Sequence, residues 1–162
     1  MRKESDTNKI KRLTEYFKKR DDIVMAFLFG SRSKDRAHQG SDWDIAVYFR
    51  PPDGRVEVEK DRDYPQEKQV RGDCIDILNA DNVDVILLNR ISAMLADTAI
   101  RGIPLVIKDR RLWLEFMLRV TSQAIDFRQL AKDYAEIYWR SASLVSKDAT
   151  AKKFLEENKA SE

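Results

Sequence analysis

A glycine–serine pair and three acidic residues carry the chemistry this chain offers. Gly30-Ser31 closes the continuously apolar run Ile23 to Phe29, and Asp42-Trp43-Asp44 follows after ten intervening residues. In an extended strand, side chains at i and i+2 point to one side with Cα atoms about 6–7 Å apart, so two carboxylates there can converge on a shared cation. Hard carboxylate oxygens without His or Cys companions suit Mg²⁺ rather than Zn²⁺, and leave coordination positions open for phosphate oxygens and water. The Gly-Ser turn offers backbone N–H groups and a hydroxyl that can cradle a polyphosphate. Asp84 is the one acid inside the run Val83-Asp84-Val85-Ile86-Leu87-Leu88. A lone carboxylate in such a strand is costly unless it is paired or metal-bound. If this strand lies beside the Asp42/Asp44 strand, three acids and two Mg²⁺ ions form a site for in-line displacement at phosphorus, with Asp84 on the attacking side. Each part has a plainer reading. Asp42-x-Asp44 alone fits a solvent-facing strand start, and Asp81 or Asp76 could stand in for Asp84; the combination is what points to catalysis. Arg32 is as consistent with a phosphate contact as with a loop charge. Lys34 and Arg36 read as solvated, and His38 as a loop residue.

These residues need strands to hold them, and the chain supplies a pattern for them. Ile23 to Phe29, bounded by Gly30, reads as a strand buried on both faces. From Asp42 to Phe49 the residues alternate, with Trp43, Ile45, Val47 and Phe49 on the apolar side. Val83 to Leu88 and Pro104 to Ile107 read as two further strands. Helices are expected over Thr7 to Arg20, Gln66 to Ala80 (with Val70, Cys74, Ile77 and Leu78 on one side), Ser92 to Arg101 with a Gly102 cap, and Arg110 to Val145. The last of these is one long helix or two in series, and its aromatic residues Trp113, Phe116, Phe127, Tyr134, Tyr138 and Trp139 read mostly as core; the adjacent Tyr138 and Trp139 cannot share a side, and one of them suits an interface. Pro51-Pro52-Asp53-Gly54 breaks the structure, and Arg55 to Tyr64 reads as an exposed, mobile loop or a short hairpin. Tyr48 reads as packing, and Ser146 to Glu162 as frayed or lightly docked. The order is that of an α/β (α+β) sandwich: a mixed β-sheet core over 1–108 flanked by helices, and a C-terminal helical extension over 109–162.

The chain has 162 residues, one cysteine, 30 basic and 28 acidic residues. Its length suits one compact unit with a real core. A single Cys excludes an internal disulfide framework and makes the reducing cytoplasm the default location. No apolar stretch is long enough for a helix to span a bilayer, and the N-terminus does not read as a signal peptide. The near-even charge argues against direct nucleic-acid binding.

Gly30-Ser31, ten residues, Asp42-x-Asp44 and Asp84 in its apolar context together resemble the signature of the DNA polymerase β-type nucleotidyltransferase superfamily. The short length and the run Val83 to Arg90, followed by a helix and a strand, are similar to its minimal nucleotidyltransferase (MNT) branch. The resemblance spans roughly Ile23 to Lys108. It implies a nucleotidyltransferase core using ATP and Mg²⁺, and in antitoxin members a HEPN-domain ribonuclease toxin as partner, one of whose tyrosines receives AMP as pyrophosphate leaves. Carried over by position, Gly30 and Ser31 hold the triphosphate, and Asp42, Asp44 and Asp84 are the catalytic, metal-binding acids; Arg32 and Ser41 are further nucleotide-binding candidates beside them. The extension leaves few walls to enclose a small substrate, which favours a macromolecular acceptor. A small-molecule (aminoglycoside-type) nucleotidyltransferase and a non-catalytic antitoxin acting by binding alone are the alternatives.

Overall fold

The computed structural model describes the backbone of residues 2–34 and 40–159, and the side chains of 6–34 and 40–143. Helix α1 (Arg2–Lys18) leads into strand β1 (Ile23–Phe29), a 3₁₀ turn (Gly30–Lys34) and strand β2 (Trp43–Phe49). Then come α2 (Glu67–Leu78), β3 (Val83–Leu87), α3 (Ala93–Ile100), β4 (Ile103–Ile107) and α4 (Arg110–Lys159). The four strands form a mixed sheet in the order β3-β2-β1-β4. β1 is antiparallel to both β2 and β4, and β2 is parallel to β3. This is the mixed-sheet α+β architecture expected from the alternation of strands and helices. The chain divides into two compact units, Met1–Ala124 and Ile125–Glu162.

The first unit is layered by the period-2 alternation of its strands. On one face Ala26, Leu28, Trp43, Ile45, Val47 and Phe49 meet Leu13 and Phe17 of α1 and Val70, Cys74 and Leu78 of α2. On the other, Met25, Phe27, Ala46 and Tyr48 meet Ala96 and Ala99 of α3 and Leu112, Phe116 and Val120 of α4. β1 is covered on both sides, which is why its sequence is apolar without alternation. Burial pushes the Cys74 thiol up to about 12, so it behaves as a small apolar core residue.

Four expectations are corrected. The segment after β2 is not a free loop. Glu57 is buried and accepts hydrogen bonds from the Tyr64 hydroxyl and from Asn89 Nδ2 (3.1 Å), with Arg62 at 3.2 Å. Asn89 also clamps both backbone groups of Phe49, and Tyr64 stacks on the Phe49 ring at 4.9 Å. The Tyr48 hydroxyl accepts from Glu57 N at 2.7 Å, so Tyr48 is a packing residue of this anchor. Charge-rich as it is, the segment is fixed because a buried carboxylate must be fully hydrogen-bonded. Gly102 does not cap α3; Arg101 does. Its missing side chain serves close approach instead, since a Cβ there would stand 2.2 Å from the Leu28 carbonyl oxygen. α4 continues helically through Ser146 to Lys159 rather than fraying. Its second-unit aromatics are not core: Phe127 is 56% exposed, Tyr134 71%, Tyr138 57% and Trp139 70%. The 3.5-residue spacing marks an apolar stripe, and among the described residues of this unit no strand lies beneath it.

Candidate active site

The sheet brings the acidic residues and the Gly-Ser turn into one row. Phe29 is the register partner of Asp44, and Asp44 is the register partner of Asp84 across the parallel β2–β3 pair. Parallel partners in register point to the same face, so the two carboxylates stand on neighbouring strands one spacing apart, about 4.8 Å at the backbone. Asp42 lies one residue before β2, exposed at its entry. Gly30, immediately after β1, has φ of +73°, a conformation that favours glycine. A Cβ on it would meet Asp44 Oδ2 at 2.0 Å. The turn therefore rests directly on the Asp44 carboxylate, and only glycine leaves room for that contact.

Electrostatics ties the three acids together. The Asp44 carboxyl is held above its ordinary range, first by burial, then by the charges of Asp42 and Asp84, with Arg32 opposing. Asp84 is 69% exposed, with Arg71 Nη2 3.9 Å from its carboxylate. Among the described residues no group of three His, Cys, Asp or Glu side chains is gathered closely enough to hold a metal ion. The donor set nevertheless fits a hard divalent cation: it is all carboxylate, and its mutual repulsion is what such a cation relieves.

Arg32 and Ser41 lie in the scaffold beside this row. Arg32 donates from Nε and Nη2 to the Ser41 carbonyl at 3.0 and 2.7 Å and from Nη1 to Asp6 at 3.1 Å. Its guanidinium sits 4.1 Å above the Trp43 ring. Asn82 Nδ2 donates to the same Ser41 carbonyl at 3.0 Å, while its own carbonyl receives Trp43 N at 2.9 Å. These bonds fasten the 3₁₀ turn to the residue before Asp42. Ser33 Oγ closes the turn on the Gly30 carbonyl at 2.8 Å. Arg36 and His38 lie outside the described residues. Sequence reasoning missed Asn82 and Arg71 here, and Asn89 and Glu57 behind β2. Asn89 alone left a signal, as a neutral polar residue directly after the apolar run of β3.

The profile of the family described as Polymerase beta, Nucleotidyltransferase matches residues 11–111, more than half of the chain and all of β1 to β4. The chain belongs to this nucleotidyltransferase family. The matched region contains Gly30, Ser31, Asp42, Asp44 and Asp84. No curated protein sequence matches the chain. Several solved structures share the fold. A chain from the crystal structure of a toxin–antitoxin with AMP-PNP aligns with a TM-score of 0.57 at 21% identity, over 80% of this chain and 95% of that one. A toxin–antitoxin MntA–HpeT mutant with two Asp-to-Glu changes, two positions apart, aligns equally well: TM-score 0.57, 21% identity, the same coverage. The complex of a tri-AMPylated Shewanella oneidensis HEPN toxin with its MNT antitoxin gives a TM-score of 0.53 at 19% identity, over 82% and 95%. At these identities the likeness is one of fold. No described helix of the chain is long and apolar enough to cross a membrane.

Proposed function

We propose that the protein is an MNT-type antitoxin that transfers AMP from ATP to a tyrosine of a HEPN-domain ribonuclease toxin in the cytoplasm. The observation that carries the reading is the row of Phe29, Asp44 and Asp84 in register across β1, β2 and β3, with Gly30 packed directly against the Asp44 carboxylate and Asp42 at the entry of β2. The family supplies the reaction class, and the named complexes of similar fold supply the acceptor class.

In this reading the phosphates lie against the Gly30–Ser31 turn, and Asp42, Asp44 and Asp84 hold Mg²⁺. The ion would neutralise charge at phosphorus and orient the phosphate oxygens. The acceptor phenol oxygen forms a bond to the α-phosphorus as the bond from that phosphorus to the bridging oxygen breaks. Pyrophosphate leaves with that electron pair, and Asp84, at the exposed edge, helps remove the phenol proton. Arg32 holds the turn and the Asp42 entry in fixed relation, so that ordering is complete before substrate arrives.

The test is acceptor identity. With ATP labelled at the α-phosphate, label is expected on a tyrosine of a small all-helical partner encoded beside this chain. Label on an aminoglycoside-type small molecule, and on no protein, overturns the reading in favour of the small-molecule enzyme.

A further inference from the structure

A cavity of about 310 Å³ opens between α3 and the beginning of α4. Its apolar walls include Trp113, Met117 and Leu118, and its polar side is Asp97, Arg101 and Thr121. Asp97 is a fully buried charge, held by bonds from Arg101 at 3.1 and 3.2 Å and from the Thr121 hydroxyl at 3.3 Å. A carboxylate is costly at such depth unless its partners are fixed, so this polar side is preordered.

Its position relates it to the catalytic row. Trp113 lies against Phe27, ring centroids 5.2 Å apart, on the sheet face that Ala46 and Tyr48 share with Asp44. Gly102, next to Arg101, closes against the backbone of Leu28 and Phe29, and Phe29 is the register partner of Asp44. The end of α3 is thus two strand spacings from Asp44, on the order of 10 Å, on the side of the Gly30–Ser31 turn away from Asp84. That is the scale of the separation between the phosphates and the base of a nucleotide.

We infer that this cavity receives the nucleobase of the nucleotide whose phosphates lie along Gly30–Ser31, an inference that rests on the nucleotidyltransferase reading above. The Trp113 ring and the largely exposed Arg101 guanidinium are planar groups on which a base stacks. Base–aromatic stacking is worth about 1–3 kcal/mol. The volume admits a purine, and the hydroxyl and guanidinium can face the hydrogen-bonding edge of the base.

The test compares two probes in magnesium buffer, AMP-PNP and inorganic tripolyphosphate, which has no base. Leu118 is 66% exposed at the cavity wall, so Leu118→Trp fills the space without disturbing the core. Wild type is expected to bind AMP-PNP at least tenfold more tightly than tripolyphosphate. Leu118→Trp is expected to lose most of that difference, Leu118→Ala to keep it, and neither to change tripolyphosphate affinity. AMP-PNP affinity unchanged in Leu118→Trp overturns the cavity inference alone. Wild type binding neither probe overturns the nucleotidyltransferase reading and this inference with it.

Discussion

Replacing Gly30 by alanine tests whether the turn is built around the Asp44 carboxylate. Two costs follow from the structure. At φ of +73° an L-residue loses about 1–2 kcal/mol relative to glycine. The new Cβ would stand 2.0 Å from Asp44 Oδ2 and 2.9 Å from its Cγ, so the carboxylate must leave its position. Forcing it off its rotamer adds about 0.5–1.5 kcal/mol, for a total of roughly 2–3 kcal/mol in urea unfolding. The two costs separate in a double-mutant cycle. In an Asp44→Ala background the steric part disappears and the backbone part stays, so Gly30→Ala should cost about 1 kcal/mol less there than in wild type. Gly30→Ala should also weaken AMP-PNP binding in magnesium buffer, because it moves a proposed ligand oxygen. Additivity of the two substitutions within about 0.5 kcal/mol would refute the reasoning, since it would mean that turn and carboxylate do not touch.

Further outcomes follow from the same contacts. The raised carboxyl of Asp44 makes the folded chain bind its proton more tightly than the unfolded chain. Its penalty is therefore absent below the ordinary value of 3.8 and grows as pH rises through the folded value. Asp44→Asn should then stabilise the metal-free protein at neutral pH and flatten this part of the pH–stability profile; a destabilised Asn variant contradicts the account. Tyr64→Phe removes the hydroxyl donor to buried Glu57, and should cost about 1–2 kcal/mol and expose residues 51–64 to limited proteolysis. Arg32→Ala should lower AMP-PNP affinity with partial rescue by Arg32→Lys, because lysine restores a donor to the Ser41 carbonyl but not the fork or the stacking on Trp43. Leu130→Lys combined with Tyr134→Lys should leave the unfolding midpoint of residues 1–124 unchanged, since both side chains are exposed.

Much of the fold was legible because local pattern and burial agree in it. The apolar run to Phe29 stops at a glycine whose φ is positive, and the alternation from Trp43 to Phe49 sorts its side chains onto the two faces now seen. The adjacency of Asp44 and Asp84 was only conditional, because parallel pairing across a long connection leaves no local trace. The anchoring of residues 51–64 was illegible for a related reason. Asn89 reaches Phe49 across 40 positions and Glu57 across 32, while a charge-rich composition with Pro and Gly reads locally as solvent-facing. Gly102 was misread because a glycine after a helix fits both a cap and a close approach, and only the Leu28 carbonyl distinguishes them. The stripe Phe127, Leu130, Tyr134 and Ile137 shows the limit of periodicity: it marks an apolar face without saying what covers it.

Asp42, Asp44 and Asp84 are proposed to perform nucleotidyl transfer. Mass spectrometry of the proposed HEPN-domain partner, after incubation with ATP, Mg²⁺ and either wild type or the Asp42→Ala, Asp44→Ala double variant, decides this. AMP on a partner tyrosine with wild type, and none with a folded double variant that still binds the partner, is the expected result. AMP transferred equally by the double variant, or no transfer by wild type in a complex that nonetheless silences the ribonuclease, would contradict the account.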